Sequence, residues 1–185
     1  ALLLVDNAHG AYLKFLPQSR HPIDLGADAC CDSAHKTLPV LTGGAYLHIS
    51  PTAPAVFTAQ AKQALALFGS TSPSYLILQS LDVANRYLED YPAKLKTQLP
   101  KIDKFKETLK QYGYCLYSDE PLKLTIDAKS FGYSGIELAD ILRQYIIEPE
   151  YADPDYVVLM LSAEMTEEEL NRLSKILFNI SSKTP

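Results

Sequence analysis

The sequence has no compact run of lysine or arginine: 17 basic side chains face 22 acidic ones, for a formal net charge of −5. A nucleic-acid surface needs a basic stripe to neutralise phosphates, so nucleic acid is not an expected partner. Nor is there an apolar stretch near the roughly 20 residues that span a bilayer. The opening "ALLLVD" is too short, and lacks the basic flank, to be read as a signal peptide. Cysteine is scarce. The three present are Cys30 and Cys31, adjacent and poorly placed to bond each other, and the distant Cys115. An odd count of this kind suits a reducing compartment and buried thiols rather than a disulfide framework. No second Cys or His pair stands at a ligand interval, so the spacing predicts no metal site. These absences describe a cytoplasmic globular chain without membrane partners, and 47% apolar residues in 185 are ample for a packed core.

What is present reads as alternating strands and helices. "ALLLVD" has the continuous apolar character of a buried parallel strand. Such a strand needs neighbours on both sides, so the reading expects a fragment from which preceding strands and helices are missing. Further strands are expected over Ala27–Cys31 and, after the Gly43-Gly44 turn, over Gly44–Ile49. From Pro73 to Tyr91 the apolar residues Ile77, Leu81, Ala84, Leu88 and Tyr91 recur at helical spacing. Pro92 and Pro100 then punctuate the chain. A second helical stripe, Leu99, Ile102, Phe105, Leu109 and Tyr112, ends at Gly113. Beyond it Leu122, Leu124 and Ile126 alternate with polar residues as in a half-buried strand. A helix is expected over Gly135–Tyr145 and a strand over Val157–Leu161. Thr166 and Glu169 form a capping-box signature opening a last helix. The expected fold class is α/β, with a large-domain portion over residues 1–95 and a small α+β domain over 96–185.

Two stretches carry candidate chemistry. In "VDNAHGAY" a strand ends in Asp6, followed by Ala8, His9 and Gly10, and ligands of open α/β sheets bind at the carboxyl ends of strands. Asp6 is either a site carboxylate or a turn former. In "DSAHK" Ser33 and Lys36 are either a turn and a solvated charge or part of a site. Taken together, the two strand ends lie about one crossover apart and offer a combination with a specific meaning. Pyridoxal phosphate requires a lysine amine for its Schiff base, a carboxylate near its ring nitrogen and donors for its phosphate. Lys36 supplies the first. Asp6 supplies the second, favouring the protonated ring that serves as an electron sink. Ala8 is small enough to lie flat against a ring face, His9 suits the phenolic oxygen, and Ser33 and His35 suit the phosphate side.

The stretches "VDNAHGAYLKF", "GADACCDSAHKTLPVLTGGAYLH" and "STSPSYLILQSLD" resemble the Orn/Lys/Arg decarboxylase family, a branch of the fold type I, aspartate-aminotransferase-like enzymes that use pyridoxal 5'-phosphate. The resemblance runs to about Ile180. It implies Lys36 as the Schiff-base lysine, Asp6 as the ring-nitrogen partner, Ala8 and His9 as ring contacts, and Ser33 and His35 as phosphate-side contacts. It also implies that Ser70, Thr71 and Ser72, before the Pro73 helix, reach the cofactor phosphate of a neighbouring subunit. By themselves these three are equally ordinary caps. The implied reaction is decarboxylation of arginine, lysine or ornithine to an amine used in polyamine biosynthesis, by a homodimer or higher homo-oligomer. His35 and Lys36 are the alternatives for returning a proton to the α-carbon. An upstream phosphate-binding loop, also implied, is not in the sequence. Other fold type I activities, an aminotransferase or a lyase, share Asp6 and Lys36, and a non-catalytic fragment is the rival of a different kind. The acidic stretch "IEPEYADPDY" is either a solvated loop or a contact for a cationic substrate.

Overall fold

The computed structural model describes residues 1–117 and 120–183. Contacts divide the chain into two compact units, Ala1–Ala93 and Lys94–Pro185.

The first unit is built on a three-stranded sheet, β1 (Leu4–Asp6), β2 (Ala29–Asp32) and β3 (Tyr46–Ile49), in that order. β1 and β2 are parallel, with Leu4 opposite Ala29 and Asp6 opposite Cys31, while β3 returns antiparallel to β2. The crossover between the parallel strands is short and irregular, with one 3-10 turn at Ala11–Phe15. A four-residue helix α1 (Ala34–Thr37) follows β2 directly, and α2 (Ala55–Ala64) follows β3. Tyr12, Ala27, Cys30, Ala34 and Tyr91 are among the buried residues of this unit. The opening run is not the buried strand its composition predicts: Leu2, Leu3 and Leu4 are each more than half exposed. Apolar composition sets the tendency to form a strand, but burial also needs a covering layer, and an apolar trough walled by Val5, Leu47, Ile49, Val56 and Phe57 lies open there.

Helix α3 (Tyr75–Tyr112) is continuous for 38 residues and carries Pro92 and Pro100 inside it, where the sequence suggested two helices separated by a break. Each proline removes one backbone donor at a cost of about 3 kcal/mol in an isolated helix. Here Tyr91, Leu95, Ile102 and Leu109, all essentially fully buried, keep one stripe at helical spacing through both positions. Burying such side chains is worth about 1.5–3 kcal/mol each, enough to outweigh the lost bonds. Gly113, at φ 110°, ends the helix as expected.

The second unit is a four-stranded antiparallel sheet in the order β4 (Cys115–Leu116), β5 (Lys123–Asp127), β7 (Tyr156–Met160), β6 (Tyr151–Ala152). Leu124 and Ile126 of β5 and Val157 and Leu159 of β7 point into the core, following the period-two alternation. Helices α4 (Gly135–Gln144) and α5 (Glu167–Phe178) add Leu138, Leu142, Leu173 and Leu177. Both open on complete capping boxes, Ser134 with Glu137 and Thr166 with Glu169. None of the described helices is long and apolar enough to cross a membrane.

Candidate active site

The parallel pairing of β1 and β2 brings their carboxyl ends side by side, and the backbone stitches the two exits together. The amide of Asn7 donates to the carbonyl of Cys31 at 2.9 Å, and that of Ser33 donates to the carbonyl of Ala8 at 3.2 Å. Asp6 therefore ends one strand beside the strand that leads into Ser33, His35 and Lys36. The side chains then close the gap. Nζ of Lys36 lies 2.9 Å from Nε2 of His9, across a sequence separation of 27 residues. An ammonium donating into Nε2 leaves the ring proton of His9 on Nδ1.

His35 is turned away from that contact and fixed by its own loop. Its backbone amide and its Nδ1 both donate to the carbonyl of Gly44, at 3.2 and 3.0 Å. A carbonyl only accepts, so Nδ1 carries a proton. The turn that presents this carbonyl passes through Gly43 at φ 96°, a conformation that glycine adopts without penalty. Beside Lys36, the hydroxyl of Thr37 is buried and finds no hydrogen-bond partner among the described residues.

Asp6, Ala8, His9, Ser33, His35 and Lys36 are thus brought to one end of one parallel strand pair. Ser70, Thr71 and Ser72 are not. They lie exposed between Gly69 and α3, where the amide of Ser72 donates to the hydroxyl of Ser70 at 3.0 Å. Among the described residues, no hydrogen bond joins them to the Lys36 group. The acidic stretch is occupied locally: Arg143 holds Glu148 at 2.9 Å. Asp153 accepts from the amides of Asp155 and Tyr156, at 2.8 and 2.7 Å, closing the turn between β6 and β7. Those amides hold the Asp153 carboxyl below the ordinary carboxylate range.

A group missed in the sequence lies immediately behind the site. The Asp32 side chain is 2% exposed and meets Nδ2 of Asn7 at 2.7 Å and Nε2 of His21 at 3.1 Å. Burial pushes its carboxyl up, but His48, Asn7 and His21 outweigh that and hold it below the usual range. Gly10 makes room for this arrangement, since a Cβ there would fall 1.9 Å from Oδ1 of Asn7. All four histidines of the chain, His9, His21, His35 and His48, fall within its first 48 residues. That concentration was the available signal. Of the cysteines expected to be buried, only Cys30 is. Its neighbours alternate across the strand, so Cys31 faces outward, and Cys115 on β4 is exposed. Burial, with the charges of Asp32 and Cys31, pushes the Cys30 thiol up to about 11.

The geometry defines an α/β protein whose polar groups converge at the carboxyl ends of parallel strands. Solved structures share this fold. Lysine decarboxylase LdcF of Francisella novicida superposes with a TM-score of 0.76 at 19% identity, over 95% of this chain and 32% of that one. Serine palmitoyltransferase of Sphingomonas wittichii gives 0.72 at 16% identity, over 96% and 46%. Both stand in the fold type I class. More specifically, the chain belongs to the Orn/Lys/Arg decarboxylase family, whose major domain matches residues 1–117. It is 37% identical over 172 residues to the uncharacterized protein YaaO of Bacillus subtilis, covering 86% of this chain and 35% of that protein. To the arginine decarboxylase of the same organism it is 30% identical over 196 residues, covering 97% and 39%. The chain thus spans well under half the length of these curated relatives.

Proposed function

We propose that this chain carries the lysine-bearing part of a pyridoxal phosphate site and that the whole protein decarboxylates arginine, lysine or ornithine. The observation carrying this reading is the 2.9 Å approach of Lys36 to His9 beside the strand that ends in Asp6. The donor set fits the cofactor. Asp6 would hold the ring nitrogen, Ala8 and His9 the ring and its phenolic oxygen, Ser33 and His35 the phosphate side, and Lys36 the carbonyl carbon. When bound, the cofactor supplies a ring that accepts the electron pair left as a bond to the α-carbon breaks.

The chain's own residues do the rest. His9 keeps the Lys36 nitrogen at the end of β1, where the cofactor would be held. Nε2 of His35 and the Lys36 amine are the two groups to which we assign the holding or return of a proton. Ser70, Thr71 and Ser72 are assigned to the cofactor phosphate of a second copy. Exposed Leu67, Phe68, Tyr75 and Leu76, flanking them, suit a homodimer contact. The family membership and the arginine and lysine decarboxylases among its relatives support the choice of reaction and of a basic substrate.

The test uses the full-length protein. Added pyridoxal phosphate is expected to give the visible absorbance of lysine-bound cofactor, lost in Lys36→Ala and kept in Lys62→Ala. Incubation with each basic amino acid is then expected to release carbon dioxide and one amine. A keto acid product would move the protein to the aminotransferases. Absence of the band in the full-length protein would refute the cofactor assignment and leave a non-catalytic role.

A further inference from the structure

The group behind Lys36 has no task in the proposed reaction, and its geometry suggests one. Oδ2 of Asp32 lies 3.1 Å from Nε2 of His21 and 3.0 Å from Nε2 of His48. Sγ of Cys30 stands 3.7 Å from the same His21 nitrogen. The donor atoms of His21, Cys30 and Asp32 all fall within 4.8 Å of one another, and all three residues are buried. The fold assembles them from separate pieces. Cys30 and Asp32, two apart on β2, face the same side of the sheet. His48 stands opposite Cys30 in the register of β3, and His21 comes from the crossover. Linear spacing could not show a set gathered from three elements.

Asp32 is well supplied with partners, but Nδ1 of His21 and Nε2 of His48 are buried and make no hydrogen bond among the described residues. Nε2 of His48 is itself buried and, despite its 3.0 Å approach to the carboxylate, lies outside hydrogen-bond geometry. The two imidazole rings stand nearly perpendicular, at 81° with centroids 5.0 Å apart. Two ring nitrogens therefore approach one carboxylate oxygen, with the sulfur beside one of them, and the His48 nitrogen is not aligned to donate to it. A cation held between them accounts for that convergence. Tetrahedral zinc with bonds of about 2.0–2.3 Å sets its ligand atoms about 3.3–3.8 Å apart; the 3.7 Å between Cys30 and His21 falls in that range, the 3.1 and 3.0 Å from Asp32 to His21 and His48 would open slightly, and His48, outside the 4.8 Å set, would move in as the fourth ligand.

We propose that His21, Cys30, Asp32 and His48 form a structural transition-metal site of the zinc class. Two neutral imidazoles, a thiolate and a carboxylate around a divalent ion give a neutral assembly, the form least penalised by burial. Binding breaks the S–H bond of Cys30 and forms a metal–sulfur bond, with the proton leaving to solvent. The free carboxylate oxygen is already oriented, since Oδ1 accepts from Asn7 at 2.7 Å. Entry is by a cavity of about 340 Å³ reached by His21, Asp32 and His48. Lys14, which also lines it, is paired with Asp24 at 2.7 Å. The ion would fix the exit of β2 just before Ser33 and, through Asn7, the exit of β1, bracing both halves of the Lys36 site without touching it.

The test is cobalt substitution in the full chain after chelator treatment. One Co²⁺ per chain is expected, with the intense visible bands of tetrahedral cobalt and a near-ultraviolet sulfur-to-metal band. The sulfur band should vanish in Cys30→Ser and persist in Cys31→Ser and Cys115→Ser. His48→Ala, at a half-exposed ring, should keep the metal-free circular dichroism of the parent and weaken Co²⁺ binding at least tenfold. Zinc should raise the melting temperature of the parent and not of His48→Ala. A pale octahedral spectrum, a sulfur band surviving in Cys30→Ser, or equal affinity in His48→Ala would each overturn the site. None of these readouts depends on the decarboxylase reading.

Discussion

Helix α4 ends in a way that makes one substitution unusually informative. After Gln144, the amide of Ile146 donates to the carbonyl of Arg143 at 2.9 Å, and that of Ile147 donates to the carbonyl of Leu142 at 3.1 Å. This is the paired 5→2 and 6→1 pattern of a Schellman ending, in which the residue after the cap is left-handed and usually glycine. Here it is Ile146, at φ 60°, the sole non-glycine residue with positive φ among those described. A side chain bearing a Cβ pays about 1–2 kcal/mol in that conformation, and a β-branched one belongs near the top of the range. Ile146 is 88% exposed, so removing its side chain forfeits almost no buried surface. Glycine would bring back a backbone-entropy cost of about 0.5–1 kcal/mol. The expected net effect of Ile146→Gly is a gain of about 0.5–1 kcal/mol. For a unit of this size that is about 2–8 °C in melting temperature. Thermal and urea melts followed by far-ultraviolet circular dichroism should show the midpoint rising with an unchanged urea slope. Ile146→Asn should gain less, and Ile146→Ala least. An unchanged or lowered midpoint for Ile146→Gly would refute the strain argument.

Three further outcomes are expected. The phenol of Tyr114 is buried, donates to the carbonyl of Leu177 at 2.8 Å and stacks on Phe131 at 4.0 Å; Tyr114→Phe should cost about 1 kcal/mol at neutral pH. Burial, then Tyr112 and Tyr133, push that phenol far above its ordinary value. The unfolded chain therefore loses the proton first, and stability should fall as pH rises past about 10, less steeply in Tyr114→Phe. Thr166→Ala should cost about 1 kcal/mol by removing the acceptor for the Glu169 amide. Because the Thr166 amide and hydroxyl hold the Glu169 carboxyl below its usual value, the cap's contribution should fade as pH falls through the folded value, which a series of acid melts would show. Gly10→Ala should displace Asn7 and cost about 2 kcal/mol through the bond to Asp32. In an Asn7→Ala background most of that added cost should disappear, and additive penalties in the double-mutant cycle would count against the explanation.

Much of the second unit was legible in the sequence because local signals there agree with tertiary ones. The alternation of Leu122, Leu124 and Ile126 and the Thr166–Glu169 box each specify an element without reference to distant residues. The first unit was harder to read. Its strand positions showed in the apolar runs, but whether Leu2–Leu4 are covered depends on what packs there, which periodicity does not encode. The two prolines misled for a related reason: their local cost is real, yet the buried stripe through Tyr91, Leu95 and Ile102 overrides it. At the candidate site, Asp6, His9 and Lys36 could be singled out as chemical types at the ends of strands. The approach of Lys36 to His9 could not, because it depends on the parallel register of β1 and β2. The Asp32 cluster showed only as a concentration of histidines, its members being supplied by a crossover and two strands.

The two sheets end differently at their margins. In the second unit the outermost strands, β4 and β6, are only two residues long, which leaves little unpaired backbone for a stray chain to dock onto. In the first unit the margins are β1 and β3, and β1 is preceded by exposed leucines and carries no lysine or proline to deter pairing. An unpaired edge flanked by exposed apolar side chains is the kind of surface onto which a further strand adds by backbone pairing.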